Sequence, residues 1–148
     1  MKHPSLFTLL LITATIGIAN AAGPPDDAAL TAALIGAWEV MESPSAVPYG
    51  EVIYTADGHL HGFNTGVDWL PDGSTRKVKV KMRGDWAIKR GVLVITNLES
   101  DRVDLIPRVA TKRYLIKSIS TSEAHFKDLS DGASLYRRRK RSIRDVKV

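Results

Sequence analysis

The chain has no cysteine, which excludes disulfide staples, a cysteine-anchored lipoprotein and a thiol nucleophile. It also lacks the usual patterns of catalysis. No serine lies in Gly-x-Ser-x-Gly, and there is no His-Glu-x-x-His and no phosphate-binding loop. We therefore expect no enzyme and no cofactor. Long apolar runs are equally scarce. The main one, Leu6 to Ala19, is shorter than the about 20 residues that a lasting membrane anchor needs. It follows Met1-Lys2-His3-Pro4-Ser5 and precedes Ala19-Asn20-Ala21-Ala22, the order of charged region, apolar region and small-x-small site in a secretory signal peptide. Residues 1–21 are thus expected to be cleaved near Ala21, leaving a periplasmic or secreted protein with no transmembrane segment.

What remains is enough chain for one domain with a hydrophobic core. The formal net charge of +5 is not spread over it, because residues Ala22 to Tyr136 carry 13 basic and 15 acidic side chains. The surplus lies in Arg137-Arg138-Arg139-Lys140-Arg141, Arg144 and Lys147. This divides the chain into a signal peptide (1–21), a body (22–138) and a basic tail (139–148). Arg138, Arg139, Lys140 and Arg141 are the candidate contacts to an anionic envelope surface or other polyanion. No aromatic residue follows Tyr136, so base stacking, and with it specific nucleic-acid binding, is not expected.

The body reads as short strands between close turns. Asp26 or Asp27 caps a short helix through Leu34. A first strand, Leu34 to Met41, then carries the triplet Gly36-Ala37-Trp38, and a second Gly-x-Trp follows at Gly84-Asp85-Trp86. Gly84 is expected to bulge a long strand, and Val78, Val80 and Met82 alternate there with Lys77, Lys79, Lys81 and Arg83. Those lysines suit a solvated face that deters edge pairing. Further strands are expected at Tyr49 to Thr55, Val67 to Leu70, Val92 to Thr96, Arg102 to Ile106 as an edge strand, Lys112 to Ile119, Glu123 to Leu129 and Ala133 to Arg138. About eight strands and one helix predict an all-β fold, a single antiparallel up-and-down barrel.

Asp57-Gly58 is the strongest hairpin signal. A two-residue loop there pairs Ala56 with His59 and places Val52, Tyr54, His59, His61 and Phe63 on one face. Tyr54, His59, His61 and Phe63 then form a candidate ligand-binding patch, amphipathic and able to orient a small molecule. The His59-Leu60-His61 spacing also suits two nitrogens on one zinc, but no third ligand stands at a fixed spacing, so no metal is expected. Taking Asp131-Gly132 as the last turn places Ala124, Phe126, Leu135 and Arg137 on a common face.

A short helix, a Gly-x-Trp first strand, an antiparallel meander and a last strand ending Tyr136-Arg137-Arg138 resemble the calycins, and most of all the small bacterial lipocalin-like domains. The resemblance covers Asp27 to Arg138. It implies a structural set of Gly36, Trp38, Gly84, Trp86 and Arg137, with the Arg137 guanidinium packed over Trp38 to close the barrel. It does not imply the Arg-x-Tyr carboxylate clamp of fatty-acid-binding proteins, because the matching stretch is Ser134-Leu135-Tyr136. The expected function is binding of a small apolar or amphipathic ligand. The alternative is a filled-core interaction or inhibitor module of the cell envelope, with a polyanion-binding tail.

Overall fold

The computed structural model describes residues 26–141, so the expected signal peptide and the end of the expected tail (142–148) lie outside the described residues. Asp26 accepts the Ala28 N–H at 3.0 Å and caps helix α1 (Asp27–Leu34). Eight strands follow: β1 (Gly36–Met41), β2 (Gly50–Tyr54), β3 (His59–Trp69), β4 (Thr75–Lys89), β5 (Val92–Ser100), β6 (Val109–Ile119), β7 (Glu123–Asp128) and β8 (Ser134–Arg139). Each strand pairs antiparallel with the next, and β8 pairs with β1, which closes the barrel. The expected all-β up-and-down barrel with a short N-terminal helix is therefore the fold observed.

Closure follows from side-chain alternation. Trp38, Val40, Val52, Tyr54, Leu60, Leu93, Ile95, Tyr114, Ala124 and Phe126 point inward from successive strands into one core, joined by Leu34 of α1. Because the strands alternate in direction, the turns alternate between the two ends. Residues 55–58, 90–91 and 120–122 lie at the end that α1 covers, and 42–49, 70–74, 101–108 and 129–133 lie at the other.

The number of strands is as expected, but their bounds differ. His59 to Trp69 is one strand rather than two, and residues 101–108 form a looped segment instead of an edge strand. There the Leu105 and Ile106 N–H groups both donate back to Arg102 O, at 3.0 and 2.8 Å. Arg102 itself is held by Asp68 and Asp104. The bulge expected at Gly84 is present as a register shift between Arg83 and Asp85.

β3 pairs with β2 only as far as Asn64, and β4 pairs with β5 only from Met82 onward. The rest of the β3–β4 hairpin stands beyond the barrel wall. Arg102 braces its inner side through Asp68, which also binds Arg76 at 2.9 Å.

Candidate functional site

The helix end is sealed by a cation and an indole. Trp38 is fully buried, and its Nε1 donates to Leu34 O at 2.7 Å. The Arg139 guanidinium lies 3.9 Å over the Trp38 ring and donates to Ile35 O and Ala33 O, both at 2.6 Å. Gly36 makes room for it: its φ is +123°, and a Cβ there would sit 2.6 Å from Arg139 Nη1. The Gly-x-Trp triplet thus serves a side chain from the other end of the sequence. α1 is held in place by Asp27, whose carboxylate accepts the N–H groups of Arg90 and Gly91 in the β4–β5 turn at 2.6 and 2.8 Å.

This corrects the expectation that Arg137 covers Trp38. The β1–β8 register pairs Trp38 with Arg139 and Val40 with Arg137, so Arg137 points inward two residues further along. The body therefore extends past 138, since β8 ends at Arg139 and the Lys140 N–H still donates to Ala37 O at 3.0 Å. Of the four residues expected to meet a polyanion, Arg139 is half-buried against Trp38. Arg138 pairs with Glu39 at 2.7 Å and Lys140 with Glu51 at 2.6 Å, while Arg141 is exposed. A basic tail in the sequence begins as a structural seam.

The four residues expected to form one patch do not share a face. Thr55 and His59 close a three-residue turn rather than a two-residue one, with Gly58 in the left-handed region at φ +85°. The pairing is consequently Tyr54 with Leu60 and Ile53 with His61. A slip of one residue turns every side chain of a strand to the other side. Tyr54 is buried inside the barrel, whereas His59, His61 and Phe63 line its outer face. His59 Nδ1 lies 2.7 Å from Asp85 beside an outer cleft of about 400 Å3 that His61, Arg83 and Asn97 also line. Lys79 Nζ caps the Phe63 ring at 3.6 Å. Among the described residues no three His, Asp or Glu side chains are grouped to hold a metal ion.

The interior nevertheless carries unspent polarity. Arg137 Nη1 donates to Tyr136 O at 3.0 Å, but its Nε is buried without a partner, and so is Asn64 Oδ1. Val80, Asn64, Gly50, Val40, Arg137 and Ala124 are successive partners across the sheet, so the two orphaned atoms belong to one ring of inward positions. A side chain at Gly50 would collide with Asn64 Oδ1. Burial pushes the Tyr54 hydroxyl above its ordinary pKa, and the adjacent Arg137 charge opposes that rise. Burial, with the Asp128 carboxylate adding to it, pushes Tyr114 up to about 12. Both phenols are therefore neutral hydrogen-bonding groups near neutral pH. Asn64 was not singled out from the sequence, where an asparagine within a strand gave no sign of facing inward.

A closed eight-strand antiparallel meander, capped by a helix and sealed by an arginine from the last strand over a Gly-x-Trp, is the architecture that the resemblance to lipocalin-like domains implies. Among solved structures the chain is similar to a lipocalin-like protein from Bacteroides uniformis ATCC 8492, with 14% identity, a TM-score of 0.49, and coverage of 73% of this chain and 99% of that one. It is similar also to an uncharacterized protein from Bacteroides eggerthii DSM 20697, with 11% identity, a TM-score of 0.46, and coverage of 71% and 98%. No family model and no curated protein matches the chain.

Proposed function

We propose that the protein is a periplasmic or secreted binding protein, not an enzyme, that takes a small amphipathic ligand into the barrel end opposite α1. The observation that carries this reading is the pair of orphaned interior atoms, Arg137 Nε and Asn64 Oδ1. A buried donor or acceptor left unsatisfied costs about 1 to 3 kcal/mol. A ligand whose polar head accepts from Arg137 would remove that cost at the guanidinium, while its apolar part lies against the surrounding wall. The head is best negative or strongly electron-rich, because a guanidinium offers donors only.

A second reading has its own support. Trp38, Tyr54, Trp86, Tyr114 and Phe126 are all buried in the core, which suits a filled barrel that acts through its surface. One calorimetric experiment separates the two. Titration with a medium-chain fatty acid and with the matching alcohol should show saturable binding, about tenfold tighter for the acid, the scale of one charge-assisted hydrogen bond. Arg137→Leu should abolish the difference. No saturable binding across an apolar series would favour the filled-core module.

A further inference from the structure

The described residues expose five large hydrophobic side chains: Val47, Val67, Trp69, Val103 and Leu129. All five belong to the end of the barrel away from α1. Val47 lies in the β1–β2 loop, Val67 and Trp69 at the tip of the β3–β4 hairpin, Val103 in the β5–β6 loop and Leu129 in the β7–β8 turn. Among the described residues the opposite end, with its three turns, exposes none of this kind. Chance scatter would not sort them so, and a grouped set of exposed apolar side chains marks a contact surface. They sit on separate tips that form a rim, a shape that meets a broad surface better than it holds a peptide.

The outer face of the β3–β4 hairpin carries charge of one sign, whereas the loops of the rim itself also hold the acids Glu42, Asp72 and Asp131. Trp69, Val67, Thr65 and Phe63 on β3 pair with Thr75, Lys77, Lys79 and Lys81 on β4, so all of them stand on the outer face of the same hairpin. Trp69 is 74% exposed. The neighbouring carboxylates are already engaged: Asp68 by Arg76 and Arg102, Glu99 by Arg83 and Arg108, and Asp101 by the Lys81 N–H. No carboxylate among the described residues forms an ion pair with Lys77, Lys79 or Lys81. Lysines on a projecting hairpin do deter strand addition, yet that role gives no reason for a bare tryptophan and valine on the same face, which would invite it.

We propose that this end docks through the outer face of the β3–β4 hairpin on a bilayer surface rich in anionic phospholipid, with Trp69 and Val67 entering the headgroup boundary and the lysine row over the phosphates. Tryptophan favours that boundary because its indole is apolar in body and polar at the N–H. Each lysine near an anionic surface adds roughly a fivefold gain in binding. Docking in this orientation turns the end that holds Arg137 toward the lipid and leaves α1 facing water.

The test uses the purified protein with vesicles of phosphatidylcholine alone and of an equal mixture of phosphatidylcholine and phosphatidylglycerol. Trp38 and Trp86 are buried, so a blue shift of tryptophan emission on vesicle addition reports Trp69. We expect that shift, with cosedimentation, only on the anionic vesicles, weakening as salt rises. Replacing Lys77, Lys79 and Lys81 by glutamine together should cut affinity on the order of a hundredfold. Trp69→Ala should remove the blue shift and weaken binding, and both variants should keep the parent melting temperature. Absence of vesicle binding would overturn the proposal. So would binding unchanged in both variants but lost when the chain is ended at Arg141, which would move the contact to the chain beyond. Equal competition by heparin or a single-stranded oligonucleotide, with Trp69→Ala indistinguishable from the parent, would show a general polyanion site instead.

Discussion

The two ends of this barrel are built on opposite terms. At the helix end polar groups are matched: Trp38 Nε1 meets Leu34 O, Trp86 Nε1 meets Thr55 O at 3.1 Å, Arg139 meets the carbonyls of Ala33, Ile35 and Thr121, and Asp27 meets two turn amides. Toward the other end, two inward polar atoms have no partner, and the tips present apolar side chains to water. Two arginines on one strand, two residues apart, therefore have different work. One holds the molecule together, and the other is held by it. A fold that concentrates its stability at one end can leave the other imperfectly satisfied, which is the condition a binding end needs.

Breaking the sealed end should have the largest effect. Trp38→Ala should cost about 3 to 5 kcal/mol in denaturant unfolding, as for other buried aromatics truncated to alanine. A loss under about 1 kcal/mol would mean that the indole is not part of the core. Arg139→Leu should cost about 2 to 4 kcal/mol, from three charged hydrogen bonds and a half-buried cation–π contact. Arg137→Leu should change stability by less than about 1 kcal/mol, because losing the Nη1 bond to Tyr136 O is offset by removing the buried, unpartnered Nε. Equal losses for the two arginines would erase the contrast between the ends.

Asp128 offers a test within the open end. Its buried carboxyl is pushed up by desolvation, but two hydrogen bonds from Ser130, at 2.8 and 2.6 Å, and the charge of Lys112 outweigh this and hold its pKa below the ordinary 3.8. A folded pKa below the unfolded one means that the stabilisation is present above pH 3.8 and is lost as pH falls through the folded value. Asp128→Asn should therefore cost about 1 to 2 kcal/mol at pH 7, and the gap to the parent should close in acid melts. A gap that does not narrow as the pH falls below the ordinary carboxylate range would point to packing instead of charge. The smallest effect is expected at Arg90, which sits at φ +53° in the turn before Gly91 at φ +74°. A residue tolerant of that region, as in Arg90→Asn, should gain about 0.5 to 1 kcal/mol.

Most of the fold was legible from the sequence because it depends on patterns of period two and on turn residues. The helix cap, the meander, the Gly84 bulge and the barrel class all follow from such patterns. The candidate site was less legible, and two hairpins show why. Reading two loop residues at Asp57-Gly58, where the chain uses three, moved the pairing by one and reversed the faces of Tyr54 and His61. Reading two at Asp131-Gly132, where the Asp128–Ala133 pairing leaves four between, moved it by two, and Ala124, Phe126, Leu135 and Arg137 still share the inner side. The exchange of Arg137 for Arg139 is of the same kind. Both face inward, so alternation cannot distinguish them; only the β1–β8 register can, and no local signal sets the pairing of the first strand with the last. The row of orphaned polar atoms depends on that same long-range register.

The Arg139 hydrogen bonds to Ala33 and Ile35 span 106 and 104 positions, and this distance bears on how the chain folds in time. Hairpins β2–β3 to β7–β8 can form from neighbouring segments, but the seam between β1 and β8 must wait for the last strand, and contacts of such separation are entropically slow to close. Until then β1 lacks its β8 neighbour, and Trp38 lies on an open sheet with no guanidinium above it. A partly made or partly refolded chain is therefore an unclosed ribbon with pairing edges exposed, the form in which β proteins associate wrongly. Ring closure is the natural slow step of refolding, and residues of the seam, with Gly36 and Arg139 foremost, govern how long the molecule stays in that vulnerable state.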